Sequence, residues 1–172
     1  EMADCHLDER PSSPVTPAVF EAALRQVQAE ANPDFVVLAG DQVQRRSIKA
    51  LHLVCDVLDR VGLPAVQVNG NHEGQCSLSE RNKIRREVAA TTASEDEMAN
   101  FFTRFGPTRF AFFWGRYLFL IVDAMSSFAP DQHRWLKSLL ALVSPETPLV
   151  VSIHHPEMAF LWFPELFDRN LR

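Results

Sequence analysis

Apolar positions along the chain follow two patterns, helical stripes and short unbroken runs, and the two alternate. Val19, Phe20, Ala23, Leu24 and Val27 recur at helical spacing behind Pro17, whose missing N–H a first turn tolerates, and the stripe ends before Asn32-Pro33. Phe35 to Ala39 is then a continuous apolar run closed by Gly40, the mark of a buried strand ending in a turn. Ile48, Leu51, Val54, Cys55 and Leu58 predict a second helix stopped by Gly62, and Ala65 to Val68 predicts another strand stopped by Asn69-Gly70. Strand, helix, strand is the order of a βαβ unit, so these two strands are expected to run parallel.

A polar stretch from Gly74 to Glu97 follows, and it reads as an insertion at residues 74–97 overhanging whatever site the fold builds. Ser94 with Glu97 has the spacing of a capping box, opening a short helix through Phe102 that Gly106-Pro107 ends. Phe110 to Trp114 and Tyr117 to Val122, joined by Gly115-Arg116, predict a hairpin. A helix from Asp131 to Val143 presents Trp135, Leu136, Leu139, Leu140 and Val143 on one side, and Leu149 to Ile153 is the last strand. The expected class is α/β, a layered fold with partly parallel pairing, in a single domain over residues 1–172.

Composition narrows the function classes. With 47% apolar and 23% charged residues in 172, the chain has the make-up of a globular domain and not of a disordered one. Seventeen basic against 22 acidic residues leave a net charge of −5, so nucleic acid is not an expected partner. The apolar runs Phe110 to Trp114, Tyr117 to Val122 and Met158 to Phe163 fall far short of the ~20 residues a spanning helix needs, so no membrane segment is expected. Glu1 to Pro14 is acidic and polar with no apolar core of a signal peptide, and three cysteines without a CxxC pair are too few for a disulfide framework. A reducing, cytoplasmic setting is the resulting expectation.

The chemistry collects where the apolar runs stop. Asp4 and His6 stand at the start, Asp41 after one strand, Asn71 and His72 after the next, and His154 and His155 after the last. The carboxyl ends of parallel strands form the crevice of an open α/β sheet, so residues 150 positions apart in sequence are able to converge there. Asp, His and Asn offer oxygen and nitrogen donors and no thiolate pair, which suits Mn, Fe, Zn or Mg better than copper. A carboxylate can bridge two cations ~3.5–4 Å apart, a shared water is then acidified, and an uncoordinated His is free to protonate a leaving oxygen. Each piece alone has a plainer reading as turn chemistry or a solvated terminus; four of them in order at strand ends do not. His52 and His133 lie inside helical stripes and read as ordinary helix residues, Cys5 reads as a spacer, and Arg81, Lys83, Arg85 and Arg86 read as a solvated face.

The order Asp4-x-His6, Gly40-Asp41, Gly70-Asn71-His72-Glu73, His154-His155-Pro156 resembles that of the calcineurin-like metallophosphoesterases, and the resemblance covers nearly the whole chain. It implies a four-layer αββα sandwich with mixed sheets and a dinuclear centre of two divalent metal ions. Carried over, Asp4 and His6 bind the first metal, Asp41 bridges both, and Asn71 and His154 bind the second. His72 faces the phosphoryl group as the catalytic acid, with Asn71 and His155 beside the substrate. The implied activity is hydrolysis of a small-molecule phosphomonoester or phosphodiester by a metal-bridging hydroxide.

This sequence departs from the family pattern in three places. Gln44 stands where an acid often follows the bridging Asp, only Glu1-Met2-Ala3 precede Asp4 where a full strand is usual, and no Gly-His-x-His motif follows His155. We therefore expect a fragment incomplete at both termini, which puts a truncated or catalytically impaired scaffold beside the enzyme reading. A nuclease of the same superfamily is disfavoured by the acidic net charge.

Overall fold

Helix α1 spans Pro17–Ala31 because its ends are written locally. Thr16 caps it, the side chain accepting the N–H of Val19 at 3.4 Å, Pro17 occupies the first turn, and Asn32 ends it in the left-handed region at φ 40°. Its buried face is Phe20 and Leu24. The computed structural model describes residues 2–8, 10, 12–44, 48–70, 72–73, 105–123 and 130–155, with the side chains of Ile48 and Pro130 excepted. The insertion at 74–97, the capping box at Ser94, the basic cluster at 81–86, Cys76 and Asn71 lie outside the described residues.

Strand β1 (Val36–Ala39), helix α2 (Ile48–Val61) and strand β2 (Ala65–Val68) form the expected unit, with β1 and β2 parallel in the register Val36 to Ala65 through Ala39 to Val68. Gly62 stops α2 at φ 70°, its N–H returning to the carbonyl of Leu58 at 2.8 Å. A second sheet runs β3-β4-β5: β3 (Phe110–Trp114) and β4 (Tyr117–Ile121) are the antiparallel hairpin, and β5 (Leu149–Ser152) lies parallel to β4. Helix α3, Pro130–Leu140, crosses between β4 and β5. It stops three residues before the predicted Val143, because Leu142 and Val143 bond back to Leu139 and Leu140 in a tight turn instead of continuing the helix.

Alternation along the strands separates three apolar clusters and so sets the layers. Val36 and Leu38 face Phe20, Leu24, Leu51, Val54 and Val57 of the first two helices. Val37 and Val68 turn the other way and meet Ile121, with Phe35, Val66, Phe110 and Phe112 packed around them. Leu118, Leu120 and Val122 face outward again onto Leu136 and Leu140 of α3. The order is helices, two-stranded sheet, three-stranded sheet, helix: the expected αββα sandwich. Phe112 stacks on Phe119 with centroids 5.1 Å apart, and Phe35 meets both edge-on, so aromatic contacts knit the two sheets.

Ahead of Asp4 the chain runs alongside β1. Met2 pairs with Leu38 beside β1, donating to Val37 O at 2.9 Å and accepting from Ala39 N at 2.6 Å.

Candidate functional site

The N-terminal segment continues past β1 as a ladder of main-chain bonds. Asp4 N donates to Gly40 O, His6 N to Asp41 O and Leu7 N to Gln42 O, at 2.8–3.1 Å, and Gln44 N returns to Leu7 O at 2.9 Å. Along this ladder Asp4, His6 and Asp41 take left-handed φ values of 54°, 46° and 52°. Non-glycine residues in that region cost about 1–3 kcal/mol each and persist only where the surroundings over-determine them, typically at functional sites. Three of the residues singled out from the sequence are thus held in strained backbone at one place.

The Asp41 carboxylate is the centre of the arrangement, its side chain 5% exposed. His154 Nε2 lies 3.3 Å from its Oδ1; His6 Nε2 and His72 Nε2 lie 3.8 and 3.7 Å from its Oδ2. His6 Nε2 is also 3.7 Å from Asp4 Oδ1, and the His6 and His72 rings meet edge-on with centroids 4.7 Å apart. Two groups of donors result, His6–Asp41–His72 and Asp4–Asp41–His154, with all donor atoms of each within 4.8 Å of one another and Asp41 common to both.

The donor spacing suits a divalent cation. Two donors each ~2.1 Å from one ion stand about 3.0–4.2 Å apart, and the distances of 3.3–3.8 Å fall in that range, too long for most direct hydrogen bonds. Ring orientation agrees. His154 Nδ1 is 2.9 Å from the carbonyl of Ala39 and His72 Nδ1 is 2.6 Å from the carbonyl of Gln44. A carbonyl only accepts, so each Nδ1 carries a proton, and each neutral ring would offer its Nε2 lone pair to a cation beside Asp41; without a cation, His154 Nε2 holds a second proton and donates it to Asp41. At position 44, where the residue departs from the family pattern, the contact to His72 is made by the main-chain carbonyl.

Asp41 titrates low: burial alone would raise it, but hydrogen bonds from His154 and the main-chain N–H of His72, with their positive charge nearby, outweigh that. His154 is correspondingly pushed up to about 9, chiefly by its bond to Asp41 and against the effect of burial. Burial, followed by the charges of Asp4 and Glu73, pushes the Cys5 thiol up to about 11, which keeps it a neutral spacer.

Sequence reasoning left one residue of this site unassigned. Glu73 is 1% exposed, and its carboxylate accepts three main-chain N–H groups: Asp41 at 2.9 Å and Gly70 at 2.8 Å on Oε2, Val43 at 3.1 Å on Oε1. Burial, helped by the charge of Asp41, nevertheless pushes its carboxyl up, with the three N–H bonds opposing. The signal was its place directly after His72, but nothing in a sequence tells a buried acceptor from a solvated Glu. The two glycines are also explained. A Cβ on Gly70 would fall on Asp41 and Glu73, and one on Gly40 would fall on the His154 ring.

The His155 ring lies against that of His154, tilted by 52° with centroids 4.4 Å apart, and belongs to neither donor group found among the described residues. Asn71 lies outside the described residues. His52 and His133 join no donor group, in keeping with their reading as helix residues.

Comparison with known proteins follows the same line. The chain is similar to a solved dimetal phosphatase from Danio rerio, with a TM-score of 0.53 at 14% identity, over 89% of this chain and 68% of that one, a likeness of fold. No curated protein sequence matches it. The family model described as calcineurin-like phosphoesterase matches residues 2–168, and with motifs and layers in agreement the chain belongs to that family.

Proposed function

We propose that the chain hydrolyses a small phosphoester at the strand-end site, with two divalent cations held around Asp41. The observation that carries this reading is the sharing of one buried carboxylate between two donor groups, His6–Asp41–His72 and Asp4–Asp41–His154. When bound, such cations supply Lewis acidity, neutralising phosphoryl oxygens and acidifying water at neutral pH. Asp4 and His6 would hold one ion, Asp41 would bridge, and His154 with Asn71 would hold the other; for Asn71 the support is its place in the Gly-Asn-His-Glu sequence alone.

His72 is assigned the proton. Its Nδ1 is fixed on Gln44 O, so protonation at Nε2 gives an imidazolium facing the site, able to pass a proton to the departing ester oxygen. A second reading has an observation in its favour: His72 Nε2 stands as close to Asp41 as His6 Nε2 does, which suits a ligand as well. His155, its ring against that of His154, would stand beside the substrate.

One set of measurements tests these roles: elemental analysis after manganese loading, with hydrolysis of an aryl phosphate and an aryl phosphodiester. Asp41→Asn is expected to lose metal and turnover together, and His72→Asn to lose turnover, by ~10²-fold or more, while retaining metal. Equal loss of metal in both would move His72 into the ligand set. Absence of metal and hydrolysis in the unaltered chain would favour a binding scaffold instead.

A further inference from the structure

The loop after β1 and the loop after β2 are joined by a reciprocal clasp. Glu73 receives the N–H groups of Asp41, Val43 and Gly70, while the carboxylate of Asp41 receives the N–H of His72 at 3.0 Å and the ring of His72 returns to Gln44 O. Each loop therefore satisfies donors of the other, and all of it lies within a few residues of the strained Asp41. The main chain there, at φ 52°, is not a conformation that Asp41 adopts unaided, and its N–H is the group Glu73 takes.

We infer that Glu73 is a positioning residue: by accepting three main-chain N–H groups it holds Asp41 in the left-handed turn that aims its carboxylate at His6, His72 and His154. The action is through hydrogen bonds and shape and not through negative charge at the site. Both Glu73 oxygens are occupied by N–H donors, two on Oε2 and one on Oε1, so Glu73 acts behind Asp41 instead of joining the donor groups. The consequence for cation binding rests on the proposed metal-site reading; the clasp itself does not.

Two substitutions separate the possibilities. Glu73→Gln keeps an oxygen for the two donors that share Oε2 and turns an amino group toward Val43, breaking one bond of three. Glu73→Ala breaks all three. Amide hydrogen exchange in the metal-free protein is expected to show Val43 alone losing protection in Glu73→Gln, and Asp41, Val43 and Gly70 losing it together in Glu73→Ala. Manganese affinity by calorimetry is expected to stay within about threefold in Glu73→Gln and to fall ~10–100-fold in Glu73→Ala, the usual range for a group that orients a ligand. Equal affinity losses in the two variants would overturn the inference in favour of a charge effect, and unchanged protection of Asp41 in Glu73→Ala would overturn the clasp. Should Glu73→Ala not fold, the Val43-only signature of Glu73→Gln decides alone. Should the unaltered chain take up no manganese, the metal-site reading falls while the exchange pattern still decides whether Glu73 holds the turn.

Discussion

Replacing Gly70 with Ala adds a single methyl group where the two site loops touch. That Cβ would stand 2.7 Å from Glu73 Oε2 and closer still to the main-chain nitrogen and the carboxylate of Asp41, where ordinary contact begins at 3.4 Å. The loops must part by at least ~0.7 Å, more than close packing absorbs without cost. The bonds that cross between the loops, from Asp41 N and Val43 N to Glu73, are now 2.9 and 3.1 Å, so parting of that size stretches both beyond the limit of a useful hydrogen bond. Bonds to a charged acceptor contribute ~1.5–3 kcal/mol each, and losing two in a site this buried costs about 3–6 kcal/mol before relaxation. We expect a loss of ~3 kcal/mol in urea unfolding of the metal-free protein, and manganese affinity lowered by one to two orders of magnitude. Gly70 has no positive φ to complicate the reading, so the effect comes from the methyl group itself. Stability within ~0.5 kcal/mol of the unaltered chain, as at an ordinary surface site, with affinity unchanged, would refute the idea that the two loops are rigidly clasped.

Other outcomes follow from the same geometry. The folded-state pKa of His154, about 9, lies above the ordinary histidine value of 6.5, so the stability from its pairing with Asp41 is fully present below pH ~6.5 and is lost as pH rises through 9. Metal-free unfolding followed from pH 6 to pH 10 is expected to show that decline, and a His154→Gln variant to lack it. Gly40→Ala combines a φ of 90° with a Cβ driven into the His154 ring, and is expected to destabilise by more than ~1 kcal/mol and to flatten the same pH profile. Leu24→Ala, at a position with no exposure on the buried face of α1, is expected to cost ~2–5 kcal/mol in urea while leaving manganese affinity per folded molecule unchanged.

Most of the architecture could be read in the sequence because the elements are short and their ends are marked. Pro17, Asn32, Gly40, Gly62 and Asn69-Gly70 each stand at a boundary the structure also has, whereas uniformly apolar runs such as Tyr117 to Ile121 mark a strand without telling which side chains go to which layer. Where local bonding competes with periodicity the pattern overreached, as at Leu142 and Val143, whose apolar side chains continue a stripe after the main chain has turned. The candidate site was legible as a collection, since Asp4, His6, Asp41, His72 and His154 all converge. The spacing of the donors around Asp41, with Asp4 near His154 and His6 near His72, was not: it goes with left-handed turns at Asp4, His6 and Asp41, and although Asp and His are enriched in that region, nothing in the sequence says which of them adopt it. Glu73 escaped for a related reason: its partners are main-chain N–H groups, identical in every sequence.

The two donor groups are unequal in the distance along the chain that each must close. His6, Asp41 and His72 fall within the first half of the sequence, around the β1–α2–β2 unit. The Asp4 group is complete only when His154 arrives from β5, and the bond that seats it, His154 Nδ1 to Ala39 O, joins residues 115 positions apart. Closing a loop of that length is entropically slow, and it also requires the aromatic faces of both sheets to have met. The Asp4 group is therefore complete only once the two sheets have docked, so cation binding there is expected to report on completion of the whole sandwich.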